Sequence, residues 1–189
     1  LTNDDAVEEL GGWSPDGAWV VYAVVGPESE QGIYKKNPDG VNEIRLSERP
    51  DFRPDWSPNG KRIAFESKRA SEEREIFIFD QDGANEMNVS NEAGEDYDFD
   101  WSPDSKHLVF VSEREGDPEI YVVTIGGKDP TALTDNRAVD QNPRWSPSGK
   151  KIVFSSDVDG DFDLFVMNAD GSGQTRVTAT ESDETHPDW

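Results

Sequence analysis

Trp13-Ser14-Pro15-Asp16-Gly17 returns as Trp56-Ser57-Pro58-Asn59-Gly60, as Trp101-Ser102-Pro103-Asp104-Ser105 and as Trp145-Ser146-Pro147-Ser148-Gly149. The intervals are 43, 45 and 44 residues, and a further 44 lead to Trp189. Proline presets φ at the second turn position, serine opens the turn and glycine closes three of the four, which predicts a tight type I turn after each Trp. Each turn is followed by an apolar run rich in β-branched and aromatic residues, at 19–25, 63–65, 108–111 and 152–154, too short for a helix. A polar interval leads to a second run at 33–34, 76–79, 120–123 and 164–167. A further turn comes next, made by Pro38-Asp39-Gly40, Gln81-Asp82-Gly83, Ile125-Gly126-Gly127 or Ala169-Asp170-Gly171, and a short segment ends near Leu46, Val89, Leu133 or Val177. No stretch carries an amphipathic helical period.

A unit of this length with four short antiparallel strands reads as one blade of a β-propeller. A lone blade cannot bury both faces, so blades must stack, and Trp13, Trp56, Trp101 and Trp145 are expected to fill the space between them. The expected fold is all-β, a single propeller domain over 1–189 with blades at about 1–46, 47–89, 90–133 and 134–177, and with 178–189 opening another. Trp-Ser-Pro-Asp-Gly, Ile63-Ala64-Phe65 with Ile152-Val153-Phe154, Glu119-Ile120-Tyr121, Asn168-Ala169-Asp170-Gly171 and Leu133-Thr134 together resemble the WD40-like repeat of TolB-type propellers, PD40. The resemblance covers the chain four times over. It implies a repeat and not an activity, since the same blade occurs in TolB, in propellers attached to serine peptidases, in the tricorn protease and in oligogalacturonate lyases. Ser105, Ser148 and the Gly11-Gly12 pair depart from the pattern and are expected to weaken single turns only.

Residues 1–13, 133–145 and 177–189 align with one another, so a closed ring of four blades would hold two claimants for one inner strand. The resemblance implies rings of six or more blades. The chain is therefore read as a fragment of a larger ring, with a homodimer completing eight blades as the other solution.

The 189 residues include 41 Asp and Glu against 18 Lys and Arg, a formal net charge of −23. Such a surface repels a phosphate backbone, which argues against nucleic acid as a partner. With no cysteine, disulfides, thiolate metal sites and cysteine nucleophiles are excluded. No apolar run reaches the roughly 18 residues of a membrane-spanning helix. Because blade strands alternate direction, the loops into each Trp strand (2–9, 47–55, 90–100, 134–144, 178–188) share a rim with the hairpins between second and third strands (26–32, 67–75, 112–119, 156–163). These windows hold 31 acidic and eight basic residues, and the rest of the chain holds ten of each. General adaptation to salt would acidify both rims. A one-sided negative face points instead to a basic protein or peptide partner, drawn in electrostatically.

Candidate binding residues are the acidic run Glu95, Asp96, Asp98 and Asp100, and the residues three before each Trp, Arg53, Asp98, Asn142 and His186, expected at the mouth of a central channel. Asp157, Asp159, Asp161 and Asp163 alternate around Gly160 and resemble the front of an EF-hand loop without its distant Glu; a Ca²⁺ site and a solvated hairpin are the competing readings. His107 and His186 are the only histidines, too few for a three-His metal centre. No Gly-x-Ser-x-Gly is present, and the acidic loops read as open, without the burial that separates carboxyl pKa values, so no catalysis is expected. The sequence thus reads as a non-enzymatic binding scaffold. The alternatives are the substrate-gating propeller of a hydrolase, or a cation- or carbohydrate-binding module. The resemblance implies a periplasmic or extracellular location.

Overall fold

The computed structural model describes residues 7–27, 30–70, 72–127 and 129–189. Parts of the loop windows, 2–6, 28–29 and 71, lie outside the described residues. The described chain has no helix and builds four four-stranded antiparallel sheets, each from consecutive strands. The first holds β1 (Val7–Trp13), β2 (Val20–Val25), β3 (Gly32–Lys36) and β4 (Glu43–Arg45). The second holds β5 (Asp51–Trp56), β6 (Arg62–Ser67), β7 (Glu75–Asp80) and β8 (Met87–Asn88). The third runs through β9 (Asp96–Trp101), β10 (His107–Ser112), β11 (Glu119–Thr124) and β12 (Thr131–Ala132), the fourth through β13 (Asp140–Trp145), β14 (Lys151–Ser156), β15 (Asp163–Asn168) and β16 (Thr175–Arg176). These are propeller blades. They group into two compact units, 1–88 and 89–189, of two blades each.

The Trp-Ser-Pro turns are built alike. Ser14, Ser57 and Ser102 carbonyls accept from the amide three residues on, each at 2.8 Å. Their hydroxyls accept the amide N–H of Trp19, Arg62 and His107, and donate to Asp16, Asn59 and Asp104. Those side-chain oxygens in turn accept from Ala18, Lys61 and Lys106, so each turn is closed by its own side chains.

In the first unit Trp56 is buried among Val21 and Ile33 of the first blade and Ile63, Phe65, Phe77 and Phe79 of the second. In the second unit Trp145 is buried with Val109, Val111, Ile120 and Leu133 of the third blade and Ile152, Phe154 and Met167 of the fourth. Each such indole wedges its blade against the one before. Full burial of side chains such as Phe65 or Phe154 supplies roughly 1.5–3 kcal/mol each. Trp101 is also buried, but Trp13 is 59% exposed. The expectation that all four would be core holds for three; Trp13 belongs to the first blade, and no described sheet precedes it to cover the ring.

The Gly11-Gly12 pair has a packing reason that the sequence concealed. A Cβ on Gly11 would lie 2.0 Å from the Pro54 carbonyl oxygen, and one on Gly12 would lie 2.1 Å from Asp55 Oδ1. β5 approaches β1 too closely for any side chain there.

Candidate functional site

Within every blade the connections alternate between two ends, so the loop into the Trp strand and the hairpin between second and third strands lie together. This loop end carries the sequence-predicted residues. β1, β5, β9 and β13 each slip register before the Trp. Arg53, Asp98 and Asn142 are the residues at the slip in their strands, with left-handed φ of 48°, 52° and 54°; His186, three before Trp189, has 57°. Such a bulge bends the strand and re-aims a side chain along its edge.

In the second unit these side chains meet. Asn142 Nδ2 donates to Asp98 Oδ2 at 2.7 Å, the Arg144 guanidinium pairs with Asp98 Oδ1 at 3.0 Å, and the His186 amide donates to Asn142 Oδ1 at 3.4 Å. Asp98 and Asn142 are buried, whereas the His186 ring is exposed. In the first unit Arg53 is anchored elsewhere: its amide donates to Glu9, and its guanidinium lies 3.7 Å from the buried Glu66.

The acidic run divides sharply by environment. Glu95 is half-buried, and Asp96 is fully buried, paired with Arg114 at 3.3 Å. Burial still leaves the Asp96 carboxyl above its ordinary pKa. Asp100 accepts the Trp145 amide at 2.6 Å, and burial pushes its pKa up to about 6 against that bond and the nearby Arg144 charge. These loops are therefore not open, contrary to the sequence reading.

The burial extends to Asp163 of the alternating run and to four carboxylates the sequence reading passed over. Asp51, Glu75, Glu119, Asp140 and Asp163 are each no more than 5% exposed. Asp51 accepts from Ser47 at 2.6 Å and pairs with Arg69, whose guanidinium carbon lies 4.9 Å from the Phe65 ring centre and 5.1 Å from that of Phe77. Arg114 repeats this over Phe110 and Tyr121. Asp140 differs, because Val158 stands where those blades have arginine. Its Oδ2 accepts from Asn136 at 2.7 Å, and its Oδ1 is buried without a partner. Glu119 lies against it, its Oε1 accepting the Asn136 amide at 2.6 Å and its Oε2 unpartnered. Burial raises both carboxyl pKa values, and the neighbouring Asp140 charge raises that of Glu119 further.

Of the four alternating aspartates, Asp159 and Asp163 are engaged by the Arg176 guanidinium and Asp157 accepts the Val139 amide at 2.7 Å. Among the described residues no group of three or more His, Cys, Asp or Glu is placed to hold a metal ion. Among the described residues no helix is long and apolar enough to cross a membrane.

Solved structures share this fold. A putative TolB from Agrobacterium tumefaciens superposes with a TM-score of 0.81 at 22% identity, over 97% of this chain and 66% of that one. TolB from Acinetobacter baumannii gives 0.73 at 23% identity over 96% and 45%, and a prolyl endopeptidase gives 0.70 at 17% over 93% and 30%. The chain thus spans less than two thirds of each of these proteins. No curated protein sequence matches it. The TolB β-propeller domain family, PD40, matches residues 28–189 of the repeats described above, and the chain belongs to that family.

Proposed function

We propose that this propeller segment is a non-enzymatic binding module that takes a basic protein or peptide on its acidic loop end. The carrying observation is the asymmetry of charge. The loop windows hold 31 acidic and eight basic residues, while the rest of the chain is balanced. Several of those carboxylates are consumed by the interior, but Glu30, Glu48, Glu72, Glu73, Glu92, Glu181 and Asp183 remain exposed. A negative end of this kind accelerates encounter with a cationic partner and loses that advantage in salt. The family likeness supports a location in the periplasm or outside the cell. The likeness to a prolyl endopeptidase favours a second reading, a propeller that gates a hydrolase, and an adjoining hydrolase domain in the full-length protein would support it.

The test compares two triple variants of equal charge. Glu72, Glu92 and Glu181 are replaced by Lys at the loop end, or Asp39, Asp82 and Asp170 at the turn end. Association with a fluorescent oligoarginine peptide is followed by stopped flow at low and high salt. The loop-end variant should associate at least tenfold more slowly at low salt and the turn-end variant within twofold of the parent. Equal slowing by both would reduce the effect to net charge and refute the assignment.

A further inference from the structure

One register position on the fourth strand carries arginine in two blades and a shorter side chain in the other two. Arg45 is paired across the ladder with Tyr34, Asn88 with Phe77, Ala132 with Tyr121 and Arg176 with Phe165. In the fourth blade Arg176 reaches from this position over the β14–β15 hairpin. Its Nη1 lies 2.5 Å from Asp159, its Nη2 pairs with Asp163, and its Nε donates to the Thr178 carbonyl at 2.7 Å. In the first blade Arg45 does likewise, donating to the Ser47 and Gln31 carbonyls with its guanidinium carbon 5.7 Å from the Tyr34 ring centre.

The third blade has a comparable hairpin without an arginine at this register position. Counted along the chain, Glu115 stands where Asp159 does, Asp117 where Asp161 does, Glu119 for Asp163, Tyr121 for Phe165 and Thr134 for Thr178. Ala132 replaces the arginine, and a cavity of about 370 Å³ lies among these residues, bounded also by Asp135 and Asn136. No Lys or Arg lines it. Arg114 packs its guanidinium carbon 4.5 Å from the Tyr121 ring centre, but its Nη2 is already committed to Asp96 and the Ser90 carbonyl.

A row of carboxylates alone would be a solvated surface. Glu119 is different: it is 4% exposed, it lines the cavity, and its Oε2 has no partner. In the second blade the equivalent Glu75 is met by Asn88 Nδ2 at 3.4 Å, and in the fourth Asp163 has Arg176. A buried carboxylate oxygen left unanswered costs more than a hydrogen bond returns, so a cation delivered to it is held strongly.

We propose that this cavity receives the guanidinium group of an arginine side chain from a partner protein, with Glu119 Oε2 as the terminal acceptor and the Tyr121 ring, against which Arg114 also packs, as a side wall. Arginine suits it better than lysine because the acceptors are spread over a planar fork and one wall is aromatic. The inference rests on the reading of the loop end as the partner-facing surface, and it names the contact within it.

The test is a titration of the ¹⁵N-labelled chain with N-acetyl-arginine amide, following the Asn136 amide, whose N–H is bonded to Glu119. A saturable shift is expected. It should be at least tenfold weaker with N-acetyl-citrulline amide, which keeps the shape and loses the charge, and at least tenfold weaker in Glu119→Gln. Ala132→Arg should abolish it, because that variant supplies the missing side chain without removing a carboxylate. No saturable shift, equal binding of citrulline, or an unchanged response in Ala132→Arg would each overturn the proposal. The loop-end triple variant leaves the cavity residues intact and should still bind the amide. Failure of the cavity and failure of the charged end are therefore separate results.

Discussion

In the fourth blade Arg176 stands over Asp163, whereas in the third Ala132 leaves Glu119 with a cavity beside it. Strand register agrees, but the third blade spends its arginine, Arg114, on Asp96 and has none at the fourth-strand position. One blade thus carries its cation within the chain and the other presents an acceptor for one from outside. Removing the internal cation should convert the fourth blade into a copy of the third, at a cost. Asp163 is 1% exposed, and a buried carboxylate stripped of its partner is among the larger single-residue penalties. Arg176→Ala is expected to lower Tm by about 8 °C or more at pH 7, and added N-acetyl-arginine amide should restore part of the loss. A change below about 1 °C would mean that Arg176 is decoration and that the comparison between the blades has no energetic content.

A second contrast sets the two ends of the blades against each other. At the turn end the carboxyls of Asp16, Asp104 and Asp170 accept serine hydroxyls and backbone amides, and these bonds hold their pKa values below 3.8. At the loop end burial drives the Asp96, Glu119 and Asp140 carboxyls the other way, and within the inner strand it takes Asp100 to about 6. The native state holds the Asp100 proton more tightly than the unfolded chain does. Its contribution to stability is therefore largest near pH 4 and falls as pH rises through about 6. Asp100→Asn keeps an oxygen for the Trp145 amide and removes the ionisation. It should stabilise the protein by on the order of 1–2 kcal/mol at pH 7, with little effect at pH 4. Denaturant melts at both pH values measure this, and a variant whose stability tracks the parent at both would sink the assignment.

How much of this could be read from the residues differs by range. The blades were legible because the Trp-Ser-Pro turn is local chemistry repeated at fixed intervals, and counting back three residues from the Trp reaches the bulge positions Arg53, Asp98 and Asn142, and His186 with the same left-handed φ. Their left-handed backbone had a partial signal, since Asp, Asn and His adopt positive φ more readily than most residues, and only Arg53 gave none. Glu119 and Asp140 were missed for a physical reason. Their burial comes from the packing of one blade on the next, and in the sequence they look like any loop carboxylate. A signal did exist: aligning the fourth strands puts Ala132 beside Arg45, Asn88 and Arg176, a small residue at a position otherwise given to hydrogen-bond donors. The aspartates at 157–163 did read as acceptors for a cation, but the arginine that meets two of them lies on another strand, at a distance no local motif encodes.

The smallest expected effect tests whether the turn end is as modular as its repetition suggests. The fourth turn lacks the carboxylate of the first and third. Ser146 and Ser148 hydroxyls lie 3.1 Å apart, and the Lys150 amide reaches Ser148 Oγ at only 3.4 Å, where Lys106 reaches Asp104 at 3.1 Å and the Ser102 hydroxyl reaches it at 2.7 Å. Ser148→Asp should rebuild the tighter turn and raise Tm by about 1–2 °C at pH 7. Because the carboxyls of the equivalent turns have depressed pKa values, the gain should be complete above pH 4 and fade as pH falls through the lowered pKa of the new side chain, where it takes up its proton. A gain that persists at pH 2.5 would trace to the geometry of the side chain and not to its charge, and would separate the turn's shape from its electrostatics.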